Sequence, residues 1–97
     1  SMAVSLGQTH SLGSVAMGQL GSDWIDNTSA RTGVWLAITC LVDATFSVCA
    51  TTTVSKNGAA PSDLGAVSLP KGVTIYGYFT AITLAAGTVI AYRAAAS

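Results

Sequence analysis

Two stretches of the chain, residues 34–54 and 73–92, alternate apolar with hydroxylated or small residues, and turn-forming residues surround them. Alternation with period two sends neighbouring side chains to opposite faces of a strand. The many Val, Ile, Thr, Tyr and Phe residues suit such a pleated surface. No long segment repeats apolar residues at helical spacing. From Gly72 to Tyr92 there is no charge at all, a run about as long as a membrane span. Yet Gly77, Gly87, Thr74, Thr80, Thr83 and Thr88 interrupt it, and Tyr76 and Tyr78 lie inside the run instead of at its ends. That composition predicts strands, not a spanning helix.

The turn residues divide the pattern further. Pro70, Lys71 and Gly72 predict a turn ahead of the second stretch. "TLAAGTV" predicts a three-residue hairpin loop at Ala85, Ala86 and Gly87, with Gly87 left-handed. This register gathers Ile82, Leu84, Ile90 and Tyr92 on one face, with Ala81, Thr83, Val89 and Ala91 on the other. Val73 and Ile75 begin on the opposite parity, so a bulge or bend is expected near Gly77. The first stretch predicts a hairpin of strands 34–42 and 46–54 around Asp43, Ala44 and Thr45. A two-residue turn at Ala44-Thr45 sets Cys40 opposite Cys49, although Ala-Thr is poor turn chemistry and leaves a longer loop open. Residues 64–69 read as a short strand and Asn57-Gly58 and Pro61 as turns. "SDWIDNTSARTG" reads as a loop or one capped helical turn, with Ser22 or Asp23 at the cap. In the glycine-rich beginning the pattern predicts one short strand around residues 15–20. Five to seven short strands predict a single all-β domain over residues 1–97: a small antiparallel β-sandwich or β-barrel, jelly-roll-like, with a loop-rich N-terminal segment. Residues 1–14 are its candidate flexible arm.

Charge changes the picture. Charged residues are 8% of the 97-residue chain, against about 25% in ordinary soluble domains. The acids Asp23, Asp26, Asp43 and Asp63 balance Arg31, Lys56, Lys71 and Arg93 to zero net charge. Scattered positives give no electrostatic footprint for nucleic acid or for an anionic membrane surface, so neither is expected as a partner. A neutral, charge-poor monomer is colloidally weak. Two readings follow: a monomer covered with Thr, Ser and Asn or, favoured because apolar residues lie on both sides of the predicted strands, a chain that loses surface to copies of itself or to a larger assembly. "SMAVSLGQTH" lacks the basic and apolar regions of a secretory signal, and Ser1 ahead of Met2 reads as a remnant of tag removal. A cytoplasmic setting keeps cysteines reduced.

Candidate chemistry is sparse. His10, the sole histidine, sits in a glycine-rich segment without a framed nucleophile, so no catalytic residue is assigned and no enzyme activity is expected. Asp23, Trp24, Asp26 and Asn27 form the best candidate ligand loop, because an aromatic platform beside acids suits a carbohydrate. The competing reading has Trp24 anchoring the loop in the core while the aspartates cap backbone amides. Cys40, Cys49 and His10 lack the spacing and the fourth ligand of a zinc site, so no metal and no cofactor is expected. The cysteines are either small buried apolar groups or, across a hairpin, a disulfide. Asn27-Thr28-Ser29 fits a glycosylation sequon. Tyr76, Tyr78 and Thr80 share one strand face, a mixed apolar and hydroxylated surface suited to a subunit interface.

The strings "AITCLVDATFSV" (37–48) and "LPKGVTIYGYFTAITLAAGTVIAYRA" (69–94) resemble a group of small virion proteins of tailed bacteriophages. These end in a Leu-Pro-x-Gly turn, a strand with Ile-Tyr-Gly and a Thr-rich hairpin closing on Ile-Ala-Tyr. The resemblance implies a structural component of the head-decoration or cement type. Such a protein would be a homo-oligomer, with a trimer favoured, assembled in the host cytoplasm and bound to the major capsid protein or another virion protein. It brings no catalytic or binding residues with it. The alternatives are a receptor- or glycan-binding module using residues 23–27 and, more remotely, a small hydrolase or a ligand-sequestering antagonist of host defence.

Overall fold

The uncharged alternation of residues 74–93 forms one strand, not two. In the computed structural model, which describes residues 20–94, the strands are β1 (Ser22–Ile25), β2 (Arg31–Thr51), β3 (Ser68–Leu69) and β4 (Thr74–Arg93). They make a single antiparallel sheet in the order β1-β4-β2-β3. His10, the candidate arm over residues 1–14 and most of the strand expected around residues 15–20 lie outside the described residues. Within those described, no helix is long and apolar enough to cross a membrane.

The fold is all-β, as the pattern predicts, but both expected hairpins are absent among the described residues. β2 runs straight through Asp43, Ala44 and Thr45, and β4 runs through Ala85, Ala86 and Gly87. The two long strands pair with each other twice. Residues 35–51 of β2 pair with residues 93–79 of β4 on one edge, while residues 31–39 pair with 82–74 on the other. Ala81 therefore lies between Thr32 and Ala50, and Ile82 between Arg31 and Cys49. A long ribbon has been folded over on itself, giving one sheet curled around one core in place of a two-sheet sandwich. Repeated register shifts along the ladder permit this, since each adds bend and twist to the ribbon.

Gly87 explains why the loop signal misleads. Its φ of +89° is the left-handed conformation expected of it. The space where its side chain would stand, however, is filled by the Asp43 carbonyl and Ala44 of β2. Glycine here lets two backbones touch at the ribbon's corner instead of reversing the chain. The corner also shifts the side-chain phase. Ile82 and Leu84 are buried as expected, but beyond it Val89 and Ala91 turn inward and Ile90 and Tyr92 turn out. The irregularity expected near Gly77 is present: the register shifts between Tyr76 and Phe79, and both ladders shift again between Phe79 and Ala81.

The core comprises Ile25, Trp35, Ile38, Cys40, Phe46, Cys49, Leu69, Phe79, Ile82, Leu84, Val89 and the alanines 44 and 91. Pro70, Lys71 and Gly72 do form the predicted turn. Val73 N–H donates to the Pro70 carbonyl at 3.2 Å, Gly72 has φ +91°, and the Asp43 carboxylate accepts the Lys71 N–H at 2.7 Å. Asn57 (φ 55°) and Gly58 (φ +78°) make a tight turn with both residues left-handed. The expected strand over residues 64–69 shrinks to Ser68–Leu69, although Leu64 and Ala66 also donate to β2 carbonyls.

Of the two readings of the cysteines, the structure matches the small buried apolar groups and not the disulfide. Cys40 and Cys49 lie on the same strand, paired with Val89 and Ile82, and both are free and buried. Without the hairpin they have no reason to face each other. Burial pushes the Cys49 thiol up to about 12 and raises that of Cys40 as well, which suppresses the reactive thiolate. Native protein should therefore resist maleimide at neutral pH while unfolded protein labels at both cysteines; mass spectrometry showing prompt native labelling would contradict this packing.

Candidate functional site: an aromatic outer face

Residues directly opposed in an antiparallel sheet project to the same face. On the side of the sheet away from the core, two rows follow from the pairing. Ser22, Tyr92, Ala37 and Tyr76 form one; Trp24, Ile90, Thr39 and Thr74 form the next. Trp24 is 69% exposed and Tyr76 is 67% exposed, while Ile90 and Tyr92 between them are half-buried. Ala37 is buried yet stands outside the core cluster. Its place between Tyr92 and Tyr76 accounts for that, because two flanking rings cover a methyl group. Thr39 and Thr74 join hydroxyls across the strands at 2.8 Å. The result is an uncharged, aromatic and hydroxylated surface spanning β1, both halves of β4 and β2.

Tyr78, also exposed, extends this alternation along β4, with Ile75, Gly77 and Phe79 turned the other way. Threonines fix its backbone: Thr53 Oγ1 accepts its N–H at 2.9 Å, and its carbonyl accepts from Thr51 Oγ1 at 3.0 Å and from the Thr52 N–H at 3.2 Å. A side chain at Gly77 would press on the Phe79 ring and Thr53, each 3.1 Å away. Thr80 is half-buried at the register shift.

Residues 23–27 differ from both readings of them. Ser22–Ile25 is a strand, not a helical turn, so Asp23 and Trp24 point to opposite faces. Ile25 is the core anchor and Trp24 is exposed, which corrects the reading that buried Trp24. Asp23 faces inward at the sheet's rim. Its carboxylate accepts the Trp35 indole N–H at 2.8 Å and two hydrogen bonds from Arg93, at 2.6 and 3.1 Å. Asn27 Oδ1 accepts from the Ser29 N–H and from Arg31 Nη1. Both are thus committed internally; Trp24 and Asp26 remain exposed. The period-two reading of "SDWI" carries this signal, since Trp24 and Ile25 cannot both face the core of one strand.

The Arg93 hydrogen bonds hold the Asp23 carboxyl below the usual carboxylate range, working against the burial that raises it. Because the folded value is depressed, this group's stabilisation is complete above about pH 4 and fades as pH falls through the folded value. Asp23→Asn should flatten stability across that acid window in urea titrations, and an unchanged pH profile would refute the linkage. Asp23→Ala should cost about 1–3 kcal/mol at neutral pH by orphaning the indole N–H of buried Trp35.

Elsewhere the polar groups are also spent on structure. Asp63 accepts from the Cys49 and Gly65 N–H groups at 2.8 and 2.7 Å, and the cleft beside Asp43 is bridged by the Thr45 and Ser68 hydroxyls at 2.8 Å. Among the described residues no three of His, Cys, Asp and Glu gather as a metal-binding group. No protein-family model, curated protein or solved structure matches this chain.

Proposed function

We propose that this chain is a structural component of a bacteriophage particle, a head-decoration or cement protein that works by non-covalent association with copies of itself and with shell protein. The observation that carries the reading is the outer face: Trp24 and Tyr76 stand exposed in two uncharged rows of the sheet, with Ile90 and Tyr92 between them. Aromatic, charge-depleted patches of this kind are what protein interfaces bury at their centres. The low charge of the whole chain and the resemblance of residues 37–48 and 69–94 to small virion proteins support the same reading. Tyr76, Tyr78 and Thr80 form the part of this face on β4 that protein would cover.

The test is co-sedimentation with emptied capsids of the encoding phage. Binding is expected with the wild-type chain and should weaken at least tenfold in Tyr76→Lys, which alters an exposed side chain without touching the core. Failure of the wild-type chain to bind at tens of micromolar would reject the reading. A glycan-binding module is the second reading, favoured by the exposure of Trp24, though Asp23 is withdrawn from it by Arg93 and Trp35. Glycan-array binding abolished by Trp24→Ala would establish that alternative.

A further inference from the structure

The sheet order leaves β1 at one end, and among the described residues nothing pairs with its outer edge. Which backbone groups that edge presents follows from one hydrogen bond. Arg93 N–H donates to the Gly21 carbonyl, continuing the β1–β4 register in which Ser22 opposes Tyr92. In an antiparallel ladder hydrogen-bonded and non-bonded pairs alternate. Gly21, Asp23 and Ile25 therefore turn their N–H and carbonyl groups toward β4, while Ser22, Trp24 and Asp26 turn theirs outward. This edge has neither lysine nor proline, the residues that commonly block strand addition. Of its two charges, Asp23 is turned inward and paired by Arg93, and Asp26 stands exposed at the end of the outward row.

We infer that β1 pairs antiparallel with β1 of a second copy, about a two-fold axis at Trp24, joining two sheets into one. This deepens the self-association proposed above and rests on it. Parity and charge select the register. Outward-directed groups must meet outward-directed groups, which an axis on a residue satisfies, and the two residues at the centre of β1 are Asp23 and Trp24. An axis at Asp23 would set two carboxylates directly opposite one another, an unfavourable like-charge pair. An axis at Trp24 instead sets Trp24 against the second copy's Trp24. Ser22 then meets the second copy's Asp26, a hydroxyl donor facing a carboxylate acceptor. Asp23 meets the second copy's Ile25 on the inward side.

The row Ser22, Trp24, Asp26 is thus complementary to its own reverse, as a two-fold contact requires. The pairing stacks the most exposed aromatic residue of the described chain on its counterpart. Two four-residue strands and two indoles bury less than the roughly 800 Å² per partner of a standard interface, so the contact draws on backbone hydrogen bonds as well as area. It also places both aromatic outer faces on one side of the joined sheet, doubling the surface offered to a shell.

The experiment combines light scattering of the full chain with cross-linking of single-cysteine additions by a short bis-maleimide; the native cysteines are buried. The wild-type chain should show twice the chain mass, and Trp24→Lys, which opposes two ammonium groups, should return it to the chain mass. Trp24→Cys should cross-link to a dimer, whereas Ser22→Cys, displaced four residues from its own copy, should not. A wild-type monomer at 100 µM overturns the inference. So does an oligomer, trimeric or otherwise, whose mass survives Trp24→Lys or in which Trp24→Cys fails to cross-link. Should Trp24→Lys not fold, the two cysteine variants decide alone. Capsid binding by a wild-type monomer would defeat this pairing and leave the structural role standing; a cross-linked dimer that ignores capsids would do the reverse.

Discussion

Replacing Gly87 with alanine should destabilise the protein by about 2–5 kcal/mol, a large part of the roughly 5–15 kcal/mol that holds a domain of this kind together. Two costs add. The backbone there has φ +89°, a left-handed conformation that costs an L-residue about 1–2 kcal/mol. The new methyl would also collide with the Asp43 carbonyl and with Ala44, whose Cβ lies 2.7 Å from its position. Forcing an extra carbon into a filled site costs about 1–3 kcal/mol more. Gly58 is the matched control: φ is +78°, but nothing lies within 4 Å of an added Cβ. Gly58→Ala should lose only about 1–2 kcal/mol. Urea unfolding of both variants reads the difference directly. If the two cost the same, Gly87 is only a turn residue and the folded-ribbon corner is wrong.

Phe79→Ala should cost about 3–5 kcal/mol, the usual range for deleting a buried aromatic ring. Phe79 is completely buried and opposes Trp35 on one side and Thr51 on the other, where the folded ribbon meets itself. The site has little freedom to collapse into the vacated space, because both flanking strands are held in their ladders. The urea midpoint should fall while the slope stays unchanged, since the same surface is exposed on unfolding. A loss below about 1 kcal/mol would mean the ring is not at the centre of the core. Tyr78→Ala, one residue away and exposed, should fall within about 0.5 kcal/mol of wild type.

Much of the local structure was legible in the chain. Period-two alternation marked both long strands, and the Pro70-Lys71-Gly72 and Asn57-Gly58 turns sit where their residue types place them. The left-handed conformation of Gly87 was legible too, as was the phase change between Gly77 and Ala81. Among candidate site residues, the common face of Tyr76 and Tyr78 followed from parity alone, and their exposure came from the fold. The ends of the pairing partners did not. "TLAAGTV" satisfies the local rule for a hairpin loop, and nothing in those seven residues reveals that Ala44 occupies the inner side of the corner. The error then propagated, because one misplaced reversal inverts every downstream face: Ile90 and Tyr92 moved outward, and Val89 and Ala91 took the core.

Alternation and turn chemistry are properties of neighbouring residues, so the sequence by itself determined that this protein is an antiparallel β-structure, poor in charge and rich in threonine. Only the tertiary structure decided that two strands of about twenty residues bend and pair with each other on both edges. It alone sent Trp24 outward and tied Asp23 to Arg93, seventy positions along the chain. The physical reason is that a strand's partner is chosen by which distant backbone can approach it closely enough to bond and pack. At the decisive corner, that choice depends on a glycine and an alanine too small to keep two strands apart.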